Sequence, residues 1–404
     1  MYQKKLINMS NESHVKYSSR ALKLKRLWRS IRMWGIHRTF AKVCNRTSIP
    51  IPPVINLISR KRDTLLVGCG QFGASTASFF ISKEYGNRFL ACYDIDKPAA
   101  ERVSRAYGYN EISDDFQSML KIPGAKYVFI ASNHASHTAQ SIAALKQGLV
   151  VHVEKPVSVN WEQLADLTRT VAENPNRLFV GYNRPFSKAF QELRTHLPDG
   201  NGPFTIDCFV AGHAIDPTHW YYDPKEGTRI CGNVGHWIDM SVHLLSLRKL
   251  PENLQINLSF SDEKNREENI TITMTSDLGD LINMTFTTRG EPFDGVNESI
   301  NIQQGGLMAK IADFRRMDIW KESYHKTSTY RPKDVGHRAS VVQMYSDSPE
   351  LSRPWTEVFN STALMLQITD MVRSGKTNEM FSFKSAKSKV DSLSNSSVLQ
   401  GTQQ

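Results

Sequence analysis

Several features that would define a small exported or membrane-spanning fold are missing from this chain. Five cysteines (Cys44, Cys69, Cys92, Cys208 and Cys231) are scattered through 404 residues and no two stand at a C-x-x-C spacing. That excludes a zinc ribbon and a disulfide framework, and it makes a reducing compartment, the cytoplasm, the expected location. No apolar run approaches the ~20 residues that a membrane-spanning helix needs. The N-terminus has no apolar segment ahead of a small-residue cleavage site, so no secretory signal is expected. No internal repeat is present.

Acidic residues are nearly absent from one end. Residues 1–62 hold 15 Lys and Arg against a single Glu, whereas residues 63–404 hold 35 against 39. The formal charge of +10 is therefore the sum of a basic arm at +14 and a mildly acidic body at −4. The body is long enough for two domains of ~100–200 residues each. Full disorder and a collagen-like chain are excluded by the 40% hydrophobic content of the whole chain.

Within the arm, Leu24, Leu27, Trp28, Ile31 and Trp34 recur at helical spacing with Lys25, Arg26, Arg29 and Arg32 between them. This is a basic amphipathic helix over 20–43, tapering at Gly35. The proline-rich stretch 48–53 reads as a stiff linker that completes an arm over 1–62. Tryptophan favours an interface with one wet side, so a membrane surface or a protein groove is the expected partner, and nucleic acid is not. Packing of the arm on its own acidic body is equally open.

From Thr64 onward, short apolar strands alternate five times with helix-length segments, the pattern of a parallel, doubly wound sheet. Later runs such as FTIDCFVAGH, LQINLSFSD and ENITITMTSD follow one another directly and alternate polar with apolar residues. The expected fold class is α/β: a Rossmann domain over 63–183, then an α+β domain over 184–375 with a large, mostly antiparallel open sheet. The serine-rich residues 376–404 read as a flexible tail.

Gly68-Cys69-Gly70-Gln71-Phe72-Gly73 follows the first strand and opens a helix. Gly68 permits the tight turn, Gly70 lets backbone approach a pyrophosphate, and Gly73 allows close helix packing. The helix N-terminus offers N–H groups and partial positive charge to phosphate. Asp94 lies 21 residues beyond Gly73 at the end of the second strand, where a carboxylate accepts ribose hydroxyls and repels a 2′-phosphate. NAD is therefore expected over NADP, with nearby Lys97 weakening the preference.

GCGQFG, the IASNHASH segment, AALKQGLVVHVEKP, VGYNRPFS and a later Gly336-His337-Arg338 element together resemble the Gfo/Idh/MocA family of sugar and cyclitol oxidoreductases, from about Thr64 to about Gly375. The resemblance implies that Glu154-Lys155-Pro156 closes over the nicotinamide, with Lys155 reaching both cofactor and substrate hydroxyl and a cis bond before Pro156. A fixed ammonium there would stabilise the alkoxide that builds up as a hydroxyl is oxidised. Without the family pattern, the favoured reading of Lys155 is a surface ion pair with Glu154. Ser132, Asn133 and His137 would stand beside the cofactor, although His137 is also open to a capping or packing role.

Many family members carry D-x-G-x-H-x-x-D in the second domain. His236 and Asp239 match its last two positions, and Gly232 stands where the first aspartate would be. A subgroup reads H-W…D-P-x-x-G-G-R-I-x-G-E-x-C-H-x-I-D, against which Asn233 replaces the glutamate. His236 is the expected acid/base and Asp239 its assistant. His236, Asp239 and His243 share one helix face at i, i+3 and i+7, which leaves His243 open as a second register. Arg184, His219, Trp220, Arg229 and His236 are candidates for substrate, with domain packing as the alternative for the first four. No metal site is expected.

The expected activity is NAD-dependent hydride transfer at a ring hydroxyl or keto group of a sugar, cyclitol or nucleotide sugar, the last in surface-polysaccharide metabolism. A non-catalytic nucleotide-binding scaffold and an NAD-dependent glycoside hydrolase of the same family remain the other readings. Family habit implies a homo-oligomer, a dimer or tetramer.

Overall fold

A computed structural model describes residues 19–47, 49, 61–198, 200, 202–216, 218–290, 295–346 and 353–401. The prolines of the expected linker lie outside the described residues.

The arm forms two helices, α1 (Ser19–Trp34) and α2 (Ile36–Thr47), broken where Gly35 takes φ +79°. It lies against its own body. Arg38 of α2 donates to the Ser75 carbonyl at 3.3 Å and to Thr76 Oγ1 at 2.8 Å, and Lys333 N donates to the Met33 carbonyl at 3.1 Å.

The first domain is a parallel sheet of order β3-β2-β1-β4-β5-β6. Its strands are β1 (Thr64–Val67), β2 (Phe89–Tyr93), β3 (Glu111–Ile112), β4 (Tyr127–Ile130), β5 (Val150–Val153) and β6 (Leu178–Val180). The central runs TLLV, YVFI and VVHV carry almost no side chain that needs water, so helices cover both faces. Those helices are α3 (Phe79–Tyr85), α4 (Lys97–Tyr107), the short α5 (Phe116–Met119), α6 (His134–Lys146) and α7 (Trp161–Glu173). Chain order reverses between β1 and β4, which opens a crevice at their carboxyl ends.

The second domain is a nine-stranded sheet of order β14-β13-β12-β11-β7-β10-β9-β8-β15, antiparallel except for the β7–β10 pair. The strands are β7 (Phe204–Ala211), β8 (Asn253–Phe260), β9 (Asn269–Ser276), β10 (Leu281–Thr287), β11 (Asn297–Gln304), β12 (Leu307–Ala312), β13 (Arg316–Lys321), β14 (Tyr324–Thr329) and β15 (Asn378–Ser382). Alternate residues such as Ile270, Ile272 and Met274 point into a core shared with helices of this domain. They are α8 (Lys188–Arg194), α9 (Gly235–Ser246) and, past α10 (His337–Val342), whose Val341 instead joins the core of the first domain, α11 (Trp355–Ser374) and α12 (Phe383–Gly401).

The tail expected over 376–404 is corrected by β15 and α12. Phe383, Ala386 and Val390 are buried at i, i+3 and i+7, so one apolar row runs through a serine-rich segment. Lys389 stands 3.8 Å over the Trp161 ring, which pins α12 to α7.

Candidate active site

The loop after β1 is shaped by what its glycines must avoid. Gly68 takes φ +86°, and a Cβ there would lie 2.3 Å from the Ala131 carbonyl oxygen. A Cβ on Gly73 would lie 2.0 Å from the Gly68 carbonyl oxygen, whereas one on Gly70 would meet nothing within 4 Å. Gly70 therefore shows bare backbone to a cleft of about 850 Å³ lined also by Gln71, Phe72 and Asp94. Asp94 accepts N–H bonds from Cys69 at 2.6 Å and Asp96 at 2.8 Å, one on each oxygen, which fixes the carboxylate and leaves lone pairs for a ligand. Lys97 is drawn aside by Asp114, at 2.7 Å. These features fit a dinucleotide: open backbone at a helix start for pyrophosphate and a held carboxylate for ribose.

Beyond β4 and β5 the cleft wall is tied together by His137. Its Nδ1 lies 2.8 Å from the Pro156 carbonyl and its Nε2 3.2 Å from the Ser132 carbonyl. Burial pushes this imidazole down to about 4, so it is neutral, and its single N–H donates to one of these two carbonyls while the ring packs between the strand ends. The Lys155–Pro156 peptide is cis. Burial pulls the Lys155 ammonium down and the Glu154 carboxyl up, and each is the other's counter-charge. Gly181 makes room for that carboxylate, since a Cβ there would sit 2.5 Å from Glu154 Oε1.

Lys155 Nζ crosses the cleft and donates to the Gly232 carbonyl in the second domain. A π-helical segment, Ile230–Val234, leads from there into α9 and carries Asn233, with His236 in the first turn of α9. Asn233 Oδ1 and His236 Nδ1 are buried and have no hydrogen-bond partner among the described residues. Burial, with the positive charges of Arg184 and Lys155 added, holds His236 well below the usual histidine range, so it is neutral at pH 7. The outer wall is aromatic. Trp220 and Tyr221 approach the His134 ring with centroids 4.8 and 4.9 Å away.

The model of the Gfo/Idh/MocA oxidoreductase family, NAD-binding Rossmann fold, matches residues 62–182. Residues 62–182 are thus similar to the NAD-binding domain of that family. The chain is 27% identical to scyllo-inositol 2-dehydrogenase (NAD(+)) of Bacillus subtilis over 180 residues, 44% of this chain and 50% of that one. It is likewise 27% identical to inositol 2-dehydrogenase of Burkholderia ambifaria over 148 residues, 35% of this chain and 44% of that one. The chain thus spans about half the length of these curated relatives. Among solved structures, a dehydrogenase from Chromobacterium violaceum aligns with TM-score 0.66 at 17% identity, over 78% of this chain and 96% of that one. Levoglucosan dehydrogenase in complex with NADH and L-sorbose aligns with TM-score 0.65 at 12% identity, over 80% and 99%. These likenesses show that the two-domain fold is shared.

Within this two-domain fold, several residues proposed from sequence lie elsewhere than expected. Asp239, expected to assist His236, gives both oxygens to Arg353 at 2.8 Å. It is turned into a buried network that also holds Glu357 and His243, whose Nδ1 is 2.7 Å from Glu357 Oε1. His243 is thereby a core histidine. Arg229, expected at the substrate, is buried against Phe286, pairs with Glu268 at 3.2 Å and donates to the His213 carbonyl at 2.7 Å. Arg184 spends its fork on Glu298, at 3.0 and 3.2 Å, and stacks on Trp237. It bears on His236 as a charge, with its donors already engaged. His219 accepts from Tyr221 N at 3.2 Å and caps the turn that presents Trp220 to the cleft.

The missing carboxylate at Gly232 has a steric cause. A Cβ there would lie 2.7 Å from the Tyr221 ring and 3.0 Å from His134 Cε1, so the aromatic wall occupies the space an aspartate would need. His134, Tyr221 and Glu226 were missed as site residues. His134 and Tyr221 stand beside named candidates in the sequence. Glu226 acts across the domains: it accepts Ala135 N at 2.9 Å and Asn133 Nδ2 at 2.5 Å, capping α6. Asn133 is consequently committed to that contact.

Proposed function

We propose that this chain is an NAD-dependent dehydrogenase of a ring hydroxyl on a cyclitol or sugar. The observation that carries the reading is the pair of buried, unpartnered polar atoms, Asn233 Oδ1 and His236 Nδ1, on a segment whose backbone receives the Lys155 ammonium. Buried polar atoms are rarely left without partners, and two substrate hydroxyls would satisfy these. The names of the inositol dehydrogenase relatives support the substrate class.

The bound nicotinamide would supply the hydride acceptor. The protein's part is proton and charge control. Neutral His236 accepts the proton of the reacting hydroxyl, while Lys155 offsets the negative charge that develops on that oxygen. Asn233 orients a neighbouring hydroxyl, and Trp220 and Tyr221 give the ring's C–H face an aromatic surface. Gly68, Gly70 and Gly73 would hold the pyrophosphate, and Asp94 the adenosine ribose.

The test is NADH formation from NAD with a panel of inositols and aldoses. Turnover on one of them, reduced about 10²–10⁴-fold by His236→Ala, is expected. Unchanged turnover in that variant removes His236 from the role. NADH binding without turnover on any ring alcohol favours the non-catalytic reading, which the absence of a carboxylate at Gly232 would then explain.

Cofactor choice gives a separate prediction. With Asp94 held by two N–H groups and Lys97 engaged by Asp114, NADH should bind at least about tenfold more tightly than NADPH. Asp94→Ala should remove most of that difference in a fluorescence titration. Tighter binding of NADPH by the unaltered protein would refute the assignment.

A further inference from the structure

The two arm helices are apolar on more than the face that docks. Their inner side is used: Met33, Thr39, Ala41 and Cys44 are buried against the body, and Arg38 grips the segment that follows the glycine loop. Their outer side carries Leu24, Leu27 and Trp28 on α1, at i, i+3 and i+4, and Ile36, Phe40 and Val43 on α2, at i, i+4 and i+7. Each set forms one row along its helix. Seven of the fifteen exposed large hydrophobic side chains among the described residues lie between Leu24 and Ile49, so exposed apolar surface is concentrated on this arm. Trp28 is 62% and Ile36 68% exposed.

The charge beside these rows has one sign. Lys25 and Arg32 are exposed, Arg32 lies 4.9 Å over the Trp28 ring, and neither helix contains an acidic residue. Two copies of such a face would repel each other, which argues against self-pairing. No helix among the described residues is long and apolar enough to cross a membrane. Apolar rows with tryptophan, flanked by cations, suit a surface with a negative rim and an apolar interior.

We propose that the outer face of α1 and α2 binds an anionic lipid bilayer surface. The inner face keeps its grip on the body meanwhile, so the folded protein is held at the membrane without inserting a span. Each cation brought close to an anionic surface strengthens partition about fivefold, and the apolar rows add to that.

The experiment is vesicle flotation of the full chain, using phosphatidylcholine alone and phosphatidylcholine mixed with phosphatidylglycerol. The full chain should float with the anionic vesicles, stay behind with the neutral ones, and be partly released by salt. A variant with Leu24→Ser, Trp28→Ser, Ile36→Ser and Phe40→Ser should partition at least about 100-fold less. These side chains are outside the core, and unchanged circular dichroism and NADH binding would verify that the variant folds. The proposal fails if the full chain does not float, if it floats equally with neutral vesicles, or if the variant floats like the parent. It fails also if vesicle binding is absent and light scattering shows the substitutions breaking an oligomer or a protein complex.

Discussion

Replacing Lys155 with methionine should lower kcat for ring-alcohol oxidation about 10²–10⁴-fold while NADH still binds. Methionine keeps most of the volume and removes the ammonium, with its charge and its hydrogen bond to the Gly232 carbonyl. Nζ reaches the Gly232 carbonyl across the cleft, so the ammonium is fixed where an oxygen bound near His236 would become negative. A preorganised charge in a poorly hydrated site is worth far more than the same charge in water. Glu154→Gln supplies an independent reading. Burial lowers the Lys155 pKa and Glu154 opposes that, so removing the anion should lower it further. The alkaline limb of kcat against pH, where the ammonium is lost, should then move to lower pH. A Lys155→Met enzyme with turnover close to the parent, or a pH limb unmoved by Glu154→Gln, would exclude Lys155 as the stabilising charge.

What was legible in the sequence is what adjacent residues decide. Six consecutive residues build the loop from Gly68 to Gly73, and the demand on Gly73 comes from the Gly68 carbonyl inside it, although that on Gly68 comes from Ala131 beyond β4. The parallel sheet was legible because β1, β2, β4 and β5 are short apolar runs, each with a helix-length segment after it, whereas β3 is only Glu111 and Ile112. Strands β12 and β13 were harder to find, since Lys310, Arg316, Asp318 and Lys321 interrupt their apolar residues, and edge strand β14 is polar and mostly exposed. Contacts between distant segments were not legible at all. Nothing near Gly232 announces that Tyr221 and His134 fill its side-chain space, and nothing near Ala135 announces Glu226. Arg184 and Arg229 looked like ligands for an anionic substrate because Glu298 and Glu268, which neutralise them, come from other parts of the chain. The basic arm showed the same limit: its helical period was visible, but its two working faces required the body to be in place.

Asp239 is where these two levels conflict, and it yields the second large prediction. Helical spacing offered it to His236, but the fold gives both its oxygens to Arg353, which also bonds Glu357 at 2.7 Å. Arg353→Ala would leave two buried carboxylates facing each other without their cation, at a cost of about 3–5 kcal/mol in unfolding free energy. Asp239→Asn should cost less, because Arg353 keeps Glu357 and the amide retains a hydrogen bond. Urea unfolding of the two variants measures both. The pH dependence has a definite sign. Burial opposes the charge on Glu357, but Arg353 and His243 outweigh it and bring the carboxyl down to about 2. Its stabilisation is therefore complete above the ordinary carboxylate range and drains away as pH falls toward about 2. Asp239 acts oppositely, since burial outweighs Arg353 and raises its pKa, so its ionisation works against the fold as pH rises. The discriminating readout is catalytic. If Asp239 serves the fold alone, kcat of folded Asp239→Asn stays within about threefold of the parent, whereas an acid/base partner of His236 would show a loss of about 10²-fold or more. A loss of that size, with His243 still paired to Glu357, would return Asp239 to the active site.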